Sequence, residues 1–156
     1  MPEPSLLPAL AGMLTLAVLP VASPALAAGA ETDVVKVIER MTSAFAAKDV
    51  DTVLSTYEAN AVVVGEPGQP ASGTPALRAL FESFIAVDPH FTYHGHEVIE
   101  AGDIALHLMP WSMTGKAPDG TVIEDGGLSV AVLRRQPDGR WLMVIDDPYG
   151  DHLMKR

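Results

Sequence analysis

From Pro89 to Asp147 the side-chain pattern runs with a period of two, interrupted by Ala101-Gly102-Asp103, Pro118-Asp119-Gly120 and Pro137-Asp138-Gly139. Alternation of this kind fits an extended backbone, whose successive side chains point to opposite faces, and Asp-Gly or Gly-Asp clusters are turn formers. The spacing predicts four strands, near residues 91–100, 104–116, 121–136 and 140–147. Consecutive strands joined by short turns pair as an antiparallel meander. One face of such a sheet has to be covered, and the residues upstream supply the cover.

Val34, Ile38, Met41 and Phe45 recur at spacings of four, three and four, the buried stripe of an amphipathic helix capped by Thr32 or Asp33 and ending near Lys48. Asp49 or Asp51 caps a short second helix carrying Val53, Leu54 and Tyr57. Val62-Val63-Val64 reads as a compact strand, and residues 65–73, with three Gly and two Pro, as a loop. Thr74-Pro75 opens a third helix with Leu77, Leu80, Phe81 and Phe84 on its buried side, stopped by Asp88-Pro89. Helices first and strands afterwards give an α+β class, about three N-terminal helices packed on a curved, mainly antiparallel sheet.

The 156 residues suit one domain, and the formal charge of −10 with only 10 Lys and Arg argues against a nucleic-acid partner. With no cysteine, disulfides, thiolate metal sites and a Cys nucleophile are excluded. Residues 6–28 are almost wholly apolar and close on Ala25-Leu26-Ala27, which reads as an export signal over residues 1–27 followed by a domain over 28–156. The segment before it, Met1 to Ser5, lacks the usual Lys or Arg. Pro8, Pro20 and Pro24 interrupt the run, so no stable membrane insertion is expected after cleavage, and the location expected is periplasmic or secreted. No Gly-rich phosphate loop and no Gly-x-Ser-x-Gly elbow is present, and no cofactor is implied.

Three phrases carry a family resemblance. Lys48-Asp-Val-Asp-Thr-Val-Leu-Ser-Thr-Tyr57-Glu-Ala-Asn-Ala61 is followed by Gly68-Gln-Pro-Ala-Ser-Gly73 leading into Ala76-Leu-Arg-Ala-Leu-Phe81, and then by Asp138-Gly-Arg-Trp141. Their order and spacing over residues 32–148 resemble the cone-shaped nuclear-transport-factor-2-like superfamily, which includes ketosteroid isomerases and SnoaL-like cyclases. The ending Arg134-Arg-Gln-Pro-Asp-Gly-Arg-Trp-Leu-Met-Val-Ile-Asp-Asp-Pro-Tyr-Gly150 is most similar to uncharacterised members. The resemblance implies the fold, a pocket for a small apolar molecule, and a homodimer paired through the open sheet face. It also places a general base at Glu66, just after the first strand and before Pro67. The family's tyrosine and protonated-acid positions fall at or near Met41 and Leu128, so its usual oxyanion donors are missing.

Several residues carry candidate chemistry, each with a structural alternative. Glu66 is a catalytic base if buried and a solvated loop carboxylate if not. His94, His96 and His107 share one face if residue 101 pairs with 104, forming a polar pocket wall; no carboxylate sits at a ligand spacing, so no metal site is assigned. If Trp141, Met143 and Ile145 face the core, Asp147 follows them inward as a second catalytic carboxylate while Asp146 points away; alternatively Asp147 caps a turn. Tyr57, Phe81, Trp111 and Trp141 are candidates for the pocket lining, with ordinary core packing as the other reading. The chain is therefore either an acid–base enzyme of isomerase, cyclase, dehydratase or hydrolase type, or a non-catalytic carrier or interaction module.

Overall fold

The computed structural model describes residues 24–155, with side chains from Asp33 onward. Most of the export-signal segment, residues 1–27, lies outside the described residues. Among them no helix is long and apolar enough to cross a membrane. Helix α1 (Pro24–Ala46) starts earlier than the Thr32-Asp33 cap predicts. Alanine is the strongest helix former, and Ala25, Ala27, Ala28 and Ala30 allow the helix to continue upstream. Its stripe is as expected: Val34, Ile38 and Phe45 are buried and Met41 packs against the same core. Lys48 takes a positive φ of 59° after the last turn, and Asp49 then caps α2 (Val50–Leu54) by accepting from the Thr52 N–H.

Two local expectations are corrected. Tyr57 does not continue α2 but opens β1 (Tyr57–Glu66), a longer strand than Val62–Val64 alone suggests. The segment 65–73 is not an open loop: Pro67-Gly68 makes a tight turn, with Gly68 at φ 80°, and β2 (Gln69–Ser72) folds back on β1. Pro at the first turn position and a positive-φ Gly at the second is the combination such a reversal needs. Helix α3 (Thr74–Ile85) follows, capped by Gly73 rather than Thr74, with Leu77 and Phe81 buried.

The first predicted long strand is broken into β3 (His90–Tyr93) and β4 (Glu97–Ala101), and both pair with β5 (Ile104–Lys116). β6 (Val122–Arg135) and β7 (Trp141–Asp147) complete the meander. The seven strands form one sheet in the order β2-β1-β7-β6-β5-β3, with β4 also on β5. Only β1 and β7 run parallel. The three helices lie on the inner face, where Ala105, Met109, Ala131, Leu133 and Met143 meet Val34, Ile38, Val53, Leu77 and Phe81. The outer face carries Leu106, Leu108, Val130 and Val132, each half-buried.

Leu133 is fully buried at the centre of this core. Leu133→Ala should lower the unfolding free energy by roughly 2–5 kcal/mol, as expected for a buried truncation whose cavity cannot collapse. Urea denaturation checks this; a loss within error would mean the helices close over the gap.

Candidate functional site

Where β6 meets β7, Val132 pairs with Ile145 but Leu133 pairs with Met143, so Val144 is an extra residue. A bulge of one residue reverses the alternation beyond it. Trp141 and Met143 face inward as expected, but Ile145 is 44% exposed and Asp146, at 5%, is buried. The inward carboxylate is therefore Asp146. Asp147 turns to the other side and accepts a hydrogen bond from the Tyr149 N–H at 2.9 Å, the turn-capping alternative.

Asp146 lies in the wall of a cavity of about 130 Å³ between α1, α3 and the sheet. Phe45, Phe81, Phe84, Phe91, Trp111 and Met109 are among the apolar residues that line it. The rings are packed edge to face or tilted, with Phe45–Phe91 centroids 5.8 Å apart and Phe91–Trp111 5.6 Å, an arrangement their quadrupoles favour. The polar groups are few: Thr42, Tyr57, Tyr93, Asp125, Ser129, Asp146 and Tyr149. The Tyr57 hydroxyl donates to Asp146 Oδ2 at 2.7 Å. Burial pushes the Asp146 carboxyl up to about 6; hydrogen bonding from Tyr57 and Ser129 opposes the rise, and the neighbouring Asp147 charge adds to it. Burial and then the Asp146 charge hold the Tyr57 phenol well above its ordinary range and push Tyr93 up to about 12, so both stay protonated donors.

Tyr57, Phe81 and Trp111 line the cavity; the other candidates from the sequence do not. Glu66 is exposed in the β1–β2 turn, where its carboxylate accepts from Gln69 Nε2 at 2.8 Å. Trp141 is buried away from the cavity, with the Arg135 guanidinium 4.9 Å over its ring. The expected pairing of Ala101 with Ile104 holds, which sets Val98 opposite His107. The three histidines nevertheless do not share a face. Tyr93 pairs with Trp111 and Glu97 with Leu108, a slip of one residue around Gly95, which has φ 116°. His94 is left beside Ser112, 3.1 Å from its hydroxyl, whereas His96 Nδ1 meets His107 Nε2 at 2.9 Å.

His107 is fully buried and its Nδ1 has no hydrogen-bond partner. Burial, and then the adjacent His96, bring its pKa down to about 4, so the ring stays neutral. Among the described residues no group of three or more His, Cys, Asp or Glu could hold a metal ion. Met41, at the family's tyrosine position, lines the cavity; Leu128 falls on the outward phase of β6, and its neighbour Ser129 faces the site. Residue type alone singles out neither Ser129 nor Tyr149, and strict alternation turns Asp146 outward. The unbroken apolar run Trp141-Leu142-Met143-Val144-Ile145 is the signal that alternation fails there.

The buried carboxyl has a signed consequence for stability. Its folded pKa of about 6 lies above the ordinary carboxylate value of 3.8, so the folded state binds more protons between those values and loses stability as pH rises through that window. An amide can keep the Tyr57 hydrogen bond without ionising. Asp146→Asn should therefore gain stability relative to the parent by roughly 2–3 kcal/mol between about pH 4 and pH 8. Urea titrations at several pH values test this; a parallel pair of profiles would mean the carboxyl is not desolvated.

A SnoaL-like domain matches residues 38–144. A ketosteroid isomerase-like protein from Erwinia carotovora atroseptica is 20% identical, with a TM-score of 0.65, over 75% of this chain and 92% of that one. An NTF2-like protein with a cystatin-like fold from Novosphingobium aromaticivorans is 19% identical, with a TM-score of 0.64, over 80% and 84%. The association domain of C. elegans CaMKII is 20% identical, with a TM-score of 0.60, over 77% and 95%. No curated protein matches the chain. At this level of identity the structural likenesses establish the fold, α+β with helices packed on a curved, unclosed, mostly antiparallel sheet. With the domain match spanning more than half its length, the chain belongs to the SnoaL-like family of nuclear-transport-factor-2-like proteins.

Proposed function

We propose that this protein binds a small, largely apolar molecule in the aromatic cavity and that Asp146 exchanges a proton with it. The observation that carries the reading is a carboxyl group buried in a hydrocarbon wall, fixed by the Tyr57 hydroxyl and pushed up to about 6. A base with a pKa near the working pH moves protons most effectively, and burial is how a carboxylate reaches that range. Isomerisation, cyclisation, dehydration and hydrolysis all use such a step, and a structural neighbour is named ketosteroid isomerase-like. The proton-transfer role assigned to Glu66 from the resemblance passes to Asp146, because Glu66 stands in solvent beside Gln69. The export reading is part of the proposal and rests on the apolar run of residues 6–28 and the Ala25-Leu26-Ala27 pattern that closes it.

The test is a thermal-shift screen with apolar carbonyl compounds, followed by product analysis for each that stabilises the protein. A bound compound raises Tm by mass action. Asp146→Asn should cut turnover by at least about 100-fold, the usual scale of a positioned general base, while Glu66→Gln stays within about twofold. Binding without turnover in the parent would favour a carrier, and turnover that survives Asp146→Asn would remove Asp146 from the chemistry.

A second reading concerns assembly. Ile99 and Ile145 stand 53% and 44% exposed on the outer face, next to Leu106, Leu108, Val130 and Val132. A contiguous apolar sheet face is a surface for a partner, and a second copy satisfies it symmetrically. Light scattering at micromolar concentration should give a homodimer, and Ile99→Glu combined with Ile145→Glu should give a monomer with an unchanged far-UV spectrum. A monomeric parent would sink the idea.

A further inference from the structure

The charged side chains that line the cavity are all of one sign, and this narrows the ligand further. Two of the residues lining the cavity are acids, Asp125 and Asp146, and none of the described lining residues is Lys, Arg or His. Asp125 is exposed, so it stands where solvent enters, and Asp146 is buried inside. Tyr149, in the same wall, feels the charges of Asp125, Glu66 and Asp147, after the effect of its own burial. Two of the lysines nearby are already paired. Lys48, in an adjoining groove that shares Phe45, Phe91 and Tyr93, bonds Asp88 at 2.8 Å. Lys155 bonds the Gly126 carbonyl at 2.7 Å and Asp151 at 3.1 Å. The chain as a whole carries −10.

An anionic ligand entering this cavity would lose its hydration and face two carboxylates with no cation among the lining residues, so only neutral hydroxyls such as that of Tyr93 would be left to compensate it. A cation meets the opposite situation. Ring faces attract it, more strongly in a desolvated site, and a buried carboxylate gives it a counter-ion. On the reading that this cavity is the ligand site, we propose that its ligand is an organic cation, an apolar ring system bearing a protonated amine that pairs with Asp146. Pairing keeps Asp146 ionised in the complex, which makes it a proton acceptor rather than a donor.

Three probes with one ring and different charge separate this from the broader reading: naphthylmethylamine, naphthylmethanol and naphthoate, each titrated into the full chain by calorimetry. The amine should bind at least about 10-fold more tightly than the alcohol, and naphthoate more weakly than both. Raising salt to about 0.5 M should weaken the amine and leave the alcohol unchanged, as screening at the open mouth requires. Asp125→Asn, a substitution at an exposed position, should reduce the amine's advantage by about two- to threefold, and Asp146→Asn should abolish it. Equal binding of amine and alcohol, or tightest binding of naphthoate, would overturn the charge assignment and leave the cavity as a ligand site. Binding of none of the three would overturn both.

Discussion

The hydrogen bond from Tyr57 to Asp146 holds the organisation of this molecule's interior. A carboxyl group taken out of water needs a partner, or its burial costs several kcal/mol. Tyr57 opens β1 and Asp146 lies near the end of β7, 89 positions later in the chain, so a single 2.7 Å contact ties the start of the sheet's parallel pair to the end of the meander. The same contact fixes the chemistry. Tyr57 is buried against Phe81, with ring centroids 5.4 Å apart, and so cannot turn its hydroxyl toward solvent. The phenol's proton is committed to the carboxyl, which leaves other hydroxyls, such as that of Tyr93, stacked on Phe91 and partly exposed, to donate to a ligand.

That contact in turn depends on one inserted residue. With strict alternation from Trp141, the inward side chains of β7 would be Met143, Ile145 and Asp147, so an isoleucine would replace Asp146 in the wall and the inward acid would lie one residue further along. The Val144 bulge exchanges them. Bulges re-aim side chains at functional sites at the cost of a local ladder bond, and here the result is to move one carboxylate from the sheet's outer face to its inner one. The following turn then holds Asp147 outward through the Tyr149 N–H, while the Trp111 indole donates to the Pro148 carbonyl at 2.8 Å and closes that end of the cavity.

The elements were legible wherever local chemistry decides them. Strands β5, β6 and β7 lie within two residues of their expected limits because Asp-Gly and Gly-Asp turns and alternation agree, and the stripe Val34-Ile38-Met41-Phe45 is the face α1 buries. The site was less legible because it depends on two interruptions of alternation. Gly95 between His94 and His96 marked one, since glycine in a strand often signals a kink, and it sends the two rings to different faces. The other, at Val144, has no Gly or Pro beside it; only the five successive apolar residues from Trp141 to Ile145 hint that the sheet changes phase. Tyr57 and Trp111 could be placed as cavity candidates by residue type, but which of two adjacent aspartates faces inward is a question of register, and register is fixed by the partner strand.

The same inner face holds two buried ionisable groups with opposite proton linkage. Asp146, raised to about 6, favours the folded state on its acid side; His107, lowered to about 4, favours it above the ordinary histidine range, because the unfolded chain takes up the proton first on acidification. Between about pH 4 and 6.5 the two contributions run in opposite directions and partly cancel. A nearly level stability profile for the parent protein over that range is therefore compatible with two strongly desolvated groups. The arrangement also separates their roles. His107 is closed off from solvent and bonded to His96, with no place among the cavity residues, whereas Asp146 stands in the cavity wall where a ligand can reach it. Burial alone does not distinguish a structural ionisable group from a chemical one; what does is whether the buried group borders space that a second molecule can fill.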